Sequence, residues 1–314
     1  MTDPVVLISE VGPRDGLQSI TRTMPTTAKQ GWIRALASAG LREIEVASFV
    51  PPKLLPQMAD AADVVADAIR IPSITVLALV PNLRGAEAAV AAGAHKLTLP
   101  VSASRAHSQS NLRKTPEEAV EEVRRVVALR QDSPRSFGIE IGISTAFGCT
   151  MEGAIDEQWV IRLAVMLAEA GVDSVGLSDT TGYANPAQVR RLFRQLHAEL
   201  GDKAGGAHLH NTRGQGLANV VAALDVGVST FDASQGGLGG CPYAPGASGN
   251  IVTEDLVFLL ESMGLDTGID LEALIAARRI VAEALPDEPL YGHLPEAGLT
   301  KGFHYARDAS GARP

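Results

Sequence analysis

His208 and His210 are the residues best suited to chemistry in this 314-residue chain. They stand two apart in GGAHLH, a segment with strand character, so both imidazoles project to one face of the pleat. That spacing suits chelation of one divalent ion; the plainer reading is a pair of hydrogen-bonded polar residues. Oxygen donors for such an ion are at hand in Asp15, within GPRDGLQ, and in Asn250, at the end of a glycine-rich run. Two imidazoles with oxygen donors suit Mg2+ or Mn2+ with open water positions better than a closed zinc site, which would recruit thiolates.

Arg14 adjoins Asp15 on the same glycine-flanked turn, and two readings stand for it. It stabilises negative charge developing on a substrate oxygen, or it forms a structural ion pair with Glu45 or Asp179. Glu45 and Asp179 in turn either orient ligands or serve to balance Arg14. Cys241 lies in GGLGGCPYAPGASGN, whose glycines and prolines exclude a helix or strand interior and let the backbone bring the thiol close to a ligand. Cys149, after Phe147 and Gly148, reads as a small buried apolar residue. The sequence has no G-x-S-x-G elbow, P-loop or H-E-x-x-H.

The elements that must position these groups emerge when the chain is aligned on its glycines. SAGLREIEV, AAGAHKLTL, EAGVDSVGL and DVGVSTFDA place Gly40, Gly93, Gly171 and Gly227 each four residues before an apolar strand residue: Ile44, Leu97, Val175 and Phe231. Each unit is an α-to-β corner, with glycine as the helix C-cap. The corners recur at roughly twice the repeat of about 30 residues expected for one βα unit, so they mark alternate strands. VVLISEV, ITVLALV, FGIEIGIS and GGAHLH supply the others. Eight strands alternating with helices predict an α/β fold, a (β/α)8 TIM barrel with extra C-terminal helices at TEDLVFLLESMG and ALIAARRIVAEAL. One domain over residues 1–303 is expected, with 304–314 a poorly ordered tail. A doubly wound sheet is the alternative, disfavoured because no GxGxxG follows the first strand. In a barrel the loops after the strands form the catalytic face, and Arg14, Asp15, Glu45, Asp179, the histidines and Cys241 all fall there, as does the polar stretch SASRAHSQSNLRKT, expected as a loop over the site.

Bulk properties narrow the partners. With 27 basic and 36 acidic residues the net charge is −9, which disfavours nucleic acid and anionic membranes. An N-terminus without a basic region, and apolar runs shorter than the roughly 18 residues of a membrane helix, lead to the expectation of a soluble, cytoplasmic protein. The two cysteines fit a reduced compartment.

EVGPRDGLQ at 10–18, SFVPPKLLPQM at 48–58, PNLRGAEAAVAAG at 81–93 and GLGGCPYAPGASGNIVTEDLVFLLESMG at 237–264 together resemble the 3-hydroxy-3-methylglutaryl-CoA lyase family, metal-dependent lyases on TIM barrels. The resemblance spans nearly the whole barrel, and the glycine-cysteine run is its most specific part. It implies retro-Claisen cleavage of an acyl-CoA, with Asp15, His208, His210 and Asn250 holding Mg2+ or Mn2+. It further implies that Asp15 or His208 takes the hydroxyl proton, that Arg14 and Gly240 contact substrate, that Cys241 delivers a proton, and that the chain forms a homodimer or larger assembly. Three departures bear on the substrate: Asn211 and Arg213 after the second histidine, Arg22 in place of an Asn-Glu-Lys run, and GISTAFGC without the tyrosine-containing pattern of the animal enzymes. They leave open another branched 3-hydroxyacyl-CoA, such as a citramalyl-CoA-like thioester. A metal-dependent barrel hydrolase would need further histidines, and His95, His107, His197, His293 and His304 lie away from the expected strand ends.

Overall fold

The computed structural model describes residues 6–239 and 249–309; Gly240 and Cys241 lie outside them. Among the described residues nine strands run in parallel: β1 (Leu7–Glu10), β2 (Glu43–Ser48), β3 (Thr75–Leu79), β4 (Lys96–Thr98), β5 (Val101–Ser102), β6 (Gly138–Ser144), β7 (Ser174–Asp179), β8 (Ala204–Leu209) and β9 (Thr230–Ala233). Their order is β4-β3-β2-β1-β9-β8-β7-β6-β5, and a further pairing of β4 with β6 closes the ring. β4 and β5 both pair with β6, so they are two halves of one stave. The break falls at Leu99 and Pro100, where the proline has no N–H to give a ladder. Eight staves result, the barrel that the glycine-aligned repeat predicts.

The corner glycines behave as their spacing requires. Gly40, Gly93, Gly171 and Gly227 have φ of 106°, 101°, 101° and 92°, the left-handed region in which a side chain is strained. Each releases a helix into β2, β4, β7 or β9, the even-numbered staves. Ile44, Leu97, Val175 and Phe231 are buried in the layer between barrel and helices. Alternation does the rest: on β6, Ile139, Ile141 and Ile143 face that layer, while Glu140, Gly142 and Ser144 face the lumen. The lumen is closed at its lower end by Lys96, whose Nζ lies 2.5 Å from Glu43 and 3.4 Å from Glu140.

Two expectations need correction. The stretch after β5 is not an open loop but the helix Arg105–Leu112, nucleated by Ser104, whose Oγ accepts the His107 N–H at 3.0 Å. The segment from His304 is not loose throughout, because Tyr305 packs edge-on to Phe303 and its hydroxyl accepts the Leu271 N–H at 3.0 Å. The C-terminal helices lie where the sequence places them, at Thr253–Ser262 and Leu271–Ala284.

Candidate active site

The end of β1 turns so tightly that Asp15 N and Gly16 N both reach the Val11 carbonyl, at 2.7 and 3.3 Å. Glycine at position 12 gives the turn its room, since a Cβ there would lie 2.6 Å from Glu10 Oε1. The tight turn aims Arg14 and Asp15 into the barrel mouth. Arg14 Nη1 binds Asp15 Oδ1 at 2.6 Å, and Nε binds Glu45 Oε2 at 2.5 Å. Burial works against the guanidinium charge, but Glu45 and Asp15 outweigh it and hold its pKa above the ordinary value.

Glu45 thus resolves one open reading: it faces Arg14 and accepts a further bond from Thr98. Asp179 is not paired with Arg14 among the described residues, and its Oδ2 is buried without a hydrogen-bond partner there. Its Oδ1 accepts the N–H groups of Tyr183 and Ala184, at 2.8 and 3.2 Å, and so fixes the loop after β7. Burial pushes its pKa up to about 6, despite those two bonds.

Asp15, His208 and His210 form a group whose candidate ligand atoms lie within 4.8 Å of one another, a geometry that could hold a metal ion. His208 Nε2 and His210 Nε2 face each other at 3.1 Å, and His208 Nδ1 is 2.9 Å from Asp232 Oδ2. With its Nδ1–H donated to Asp232, His208 turns a lone pair toward His210. Two such nitrogens at this distance require a proton or a cation between them. Asn250 Nδ2 donates to Asp15 Oδ2 at 2.7 Å, which leaves Asn250 Oδ1 buried without a partner among the described residues. A buried amide oxygen without a donor is an acceptor that a bound cation would satisfy. These residues therefore fit a hard divalent ion with nitrogen and oxygen donors. Burial opposes ionisation of Asp15, but Arg14, both histidines and Asn250 draw its pKa down to about 2. Burial, reinforced by His208, takes His210 down to about 3. For His208, burial works downward, but Asp232 and Asp15 carry its pKa above the ordinary value.

The first and last staves are joined beneath the site. Glu10 Oε1 accepts Gly12 N at 2.8 Å and Gln235 N at 2.9 Å, while Oε2 accepts Thr253 Oγ1 at 2.7 Å. Trp32 Nε1 donates to Gln235 Oε1 at 2.6 Å. Glu254 Oε2 accepts Gly236 N at 3.1 Å and its other oxygen pairs with Arg278 at 2.9 Å. One buried network therefore sets both the turn that carries Arg14 and the start of the glycine run. Beside it a groove of about 280 Å³ opens, lined by Ser19, Thr21, Gly239 and Tyr291 among others.

Sequence reasoning missed Asp232 and Glu10. Asp232 had a signal, because it follows Phe231 as Glu45 follows Ile44 in the aligned repeat. Glu10, at the end of an apolar strand, had none. Cys149 is buried and free, as expected of a small apolar residue. Basic residues near the mouth are paired with acids: Arg22 with Asp287, Arg105 with Glu117 and Lys114 with Glu122. Among the described residues no other histidine joins the ligand group, so the hydrolase reading lacks the donors it needs.

A parallel barrel with acid, imidazoles, amide and a paired arginine at its mouth fits the class of metal-dependent lyases. Comparison with known proteins agrees. The HMGL-like family model matches residues 5–281. The hydroxymethylglutaryl-CoA lyase of Bacillus subtilis is 42% identical over 281 residues, covering 89% of this chain and 93% of its own length. That of Pseudomonas mevalonii is 41% identical, covering 86% and 89%. A solved HMG-CoA lyase from Acinetobacter baumannii, in complex with coenzyme A and 3-methylmalate, superposes with a TM-score of 0.88 at 40% identity, over 96% of this chain and 97% of that one. The chain belongs to the HMGL-like family, and within it to the enzymes that cleave carbon–carbon bonds. No helix among the described residues is long and apolar enough to cross a membrane.

Proposed function

We propose that the chain cleaves 3-hydroxy-3-methylglutaryl-CoA to acetyl-CoA and acetoacetate by a retro-Claisen route, using Mg2+ or Mn2+ held by Asp15, His208, His210 and Asn250. The observation that carries this reading is the convergence of two facing imidazole nitrogens, an ionised Asp15 and an unpartnered Asn250 oxygen beside the Arg14 guanidinium. When bound, the ion supplies Lewis acidity that makes the substrate hydroxyl easier to deprotonate.

The chain's own groups do the rest. Asp15 or His208 takes the hydroxyl proton at this centre, and Asp232 keeps the His208 ring in orientation. As the hydroxyl proton leaves, its oxygen forms a carbonyl and the adjacent carbon–carbon bond breaks toward the thioester. Arg14, fixed by Glu45, donates to the enolate oxygen that develops. The Cys241 thiol, carried on the glycine run, then protonates the α-carbon, which completes acetyl-CoA. The groove beside Gly239 takes the pantetheine arm, and Gly240 contacts substrate. The enzyme works in the cytoplasm as a homodimer or larger assembly.

A second reading, a related lyase for a citramalyl-CoA-like thioester, is favoured by the short hydroxy-diacid in the Acinetobacter relative. Incubation of the purified protein with Mn2+ and each thioester, with product identification, separates the two. Acetoacetate with acetyl-CoA is expected; free CoA without carbon–carbon cleavage would refute the lyase mechanism. Cys241→Ala should abolish turnover and leave Mn2+ binding within about twofold, and full activity would remove the thiol from the mechanism.

A further inference from the structure

Glycine inside a strand carries an entropic cost and offers nothing to pack, so it often marks a place where something approaches the backbone. Gly142, in the middle of β6, is exposed although its neighbours Ile141 and Ile143 are buried. It faces the lumen, where a Cβ would meet a single group within 4 Å, Ser178 Oγ at 2.8 Å. Its register partner Gly176 differs: a Cβ there would lie 2.3 Å from the Gly206 carbonyl, so glycine is needed to let β8 approach. No such crowding by backbone explains Gly142. Ser178 is 7% exposed, and its hydroxyl has no hydrogen-bond partner among the described residues. It stands in register with His208. An open recess edged by the Ser178 hydroxyl therefore lies one strand from the ligand group.

We propose that this recess receives the branch on the hydroxyl-bearing carbon of the acyl group, and that the chain accepts branches larger than methyl. The inference rests on the lyase reading above. Of the four substituents on that carbon, the hydroxyl and the carboxylate arm turn to Asp15 and the histidines, and the thioester arm turns to Arg14. The fourth is left to the lumen wall, and between β6 and β7 that wall has no side chain at Gly142. Ser178 offers the entering group one hydrogen bond.

The test compares thioesters that differ only in this branch, methyl against a four-carbon chain, with the intact protein and Mn2+. Wild type should cleave the long-branched thioester with kcat/KM within about tenfold of the methyl one. Gly142→Leu should lower it at least about a hundredfold for the long branch and by less than about fivefold for methyl, a discrimination within reach of a few added methylenes. Gly142→Ala, a milder filling, should shift the ratio in the same direction if the leucine variant folds poorly. A wild type that rejects the long branch by more than about a hundredfold overturns the inference. So does equal loss on both substrates in a variant whose thermal unfolding and Mn2+ affinity match wild type. Should no thioester be cleaved, the lyase reading fails, and the recess is judged by calorimetry with 3-hydroxy-3-alkylglutarates and Mn2+. Selective weakening of the long-branched acid by Gly142→Leu then supports the recess, and unchanged binding refutes it.

Discussion

Asp232 touches no expected ligand position except through His208, so its replacement isolates what ring orientation is worth. Its Oδ2 lies 2.9 Å from His208 Nδ1, and its side chain is 33% exposed to solvent. Loss of such a supporting carboxylate typically lowers metal affinity about 10–100-fold. Partial exposure screens the charge and places the effect toward the lower end, about 10–30-fold, or about 1.4–2 kcal/mol. Asp232→Ala should therefore raise the Mn2+ dissociation constant by that factor, measured by calorimetric titration of chelator-treated protein. Asp232→Asn, whose amide oxygen can still accept the Nδ1–H, should show a smaller loss. At saturating Mn2+ both variants should recover turnover to within about fivefold of wild type. An unchanged dissociation constant in a folded Asp232→Ala protein would refute the orienting role. Activity that no amount of metal restores would do the same, and would move Asp232 into the chemistry itself.

Arg14→Gln should lower kcat by about 10²–10³-fold, as for loss of an oxyanion donor, while Mn2+ affinity shifts less than tenfold; a comparable fall in both would tie Arg14 to ligand geometry instead. Asp179 has a folded pKa raised from 3.8 to about 6, so it contributes stability that is full below 3.8 and disappears as pH rises through about 6. Asp179→Asn keeps an acceptor for both N–H groups and should gain stability over wild type on going from pH 4 to 7, by up to about 3 kcal/mol in metal-free urea unfolding; a pH-independent difference contradicts this. Gly12→Ala forces a Cβ to within 2.6 Å of Glu10 Oε1 and should cost about 1–3 kcal/mol, read from the denaturation midpoint.

Much of this architecture could be read from the chain before folding. The corner glycines exposed every second stave because a left-handed C-cap leaves few residue types to choose from. The histidine pair and Asp15 declared themselves by type and placement. Arg14 could not be assigned, because only the parallel pairing of β1 with β2 reveals that Glu45 lies opposite it. The part of Asp179 that serves the backbone was hidden, because sequence does not show that its Oδ1 meets the N–H groups of Tyr183 and Ala184. The helix Arg105–Leu112 was hidden by its polarity: its stability comes from the Ser104 cap rather than from an apolar stripe. Asp232 was within reach, since alternation along the repeat puts it on the same face of its stave as Glu45 on β2.

The Glu10 network has a bearing on how the enzyme comes into being. Its partners, Gln235 and Thr253, are separated from it by 225 and 243 positions in the chain. Asn250 reaches back over a similar span to Asp15. A chain emerging from the ribosome holds its arginine and aspartate from the start, yet the buried network that anchors their turn is incomplete until the last stave docks against the first. Catalytic competence is thus the last thing the molecule acquires, and a truncated product, however barrel-like, would lack a formed reaction centre.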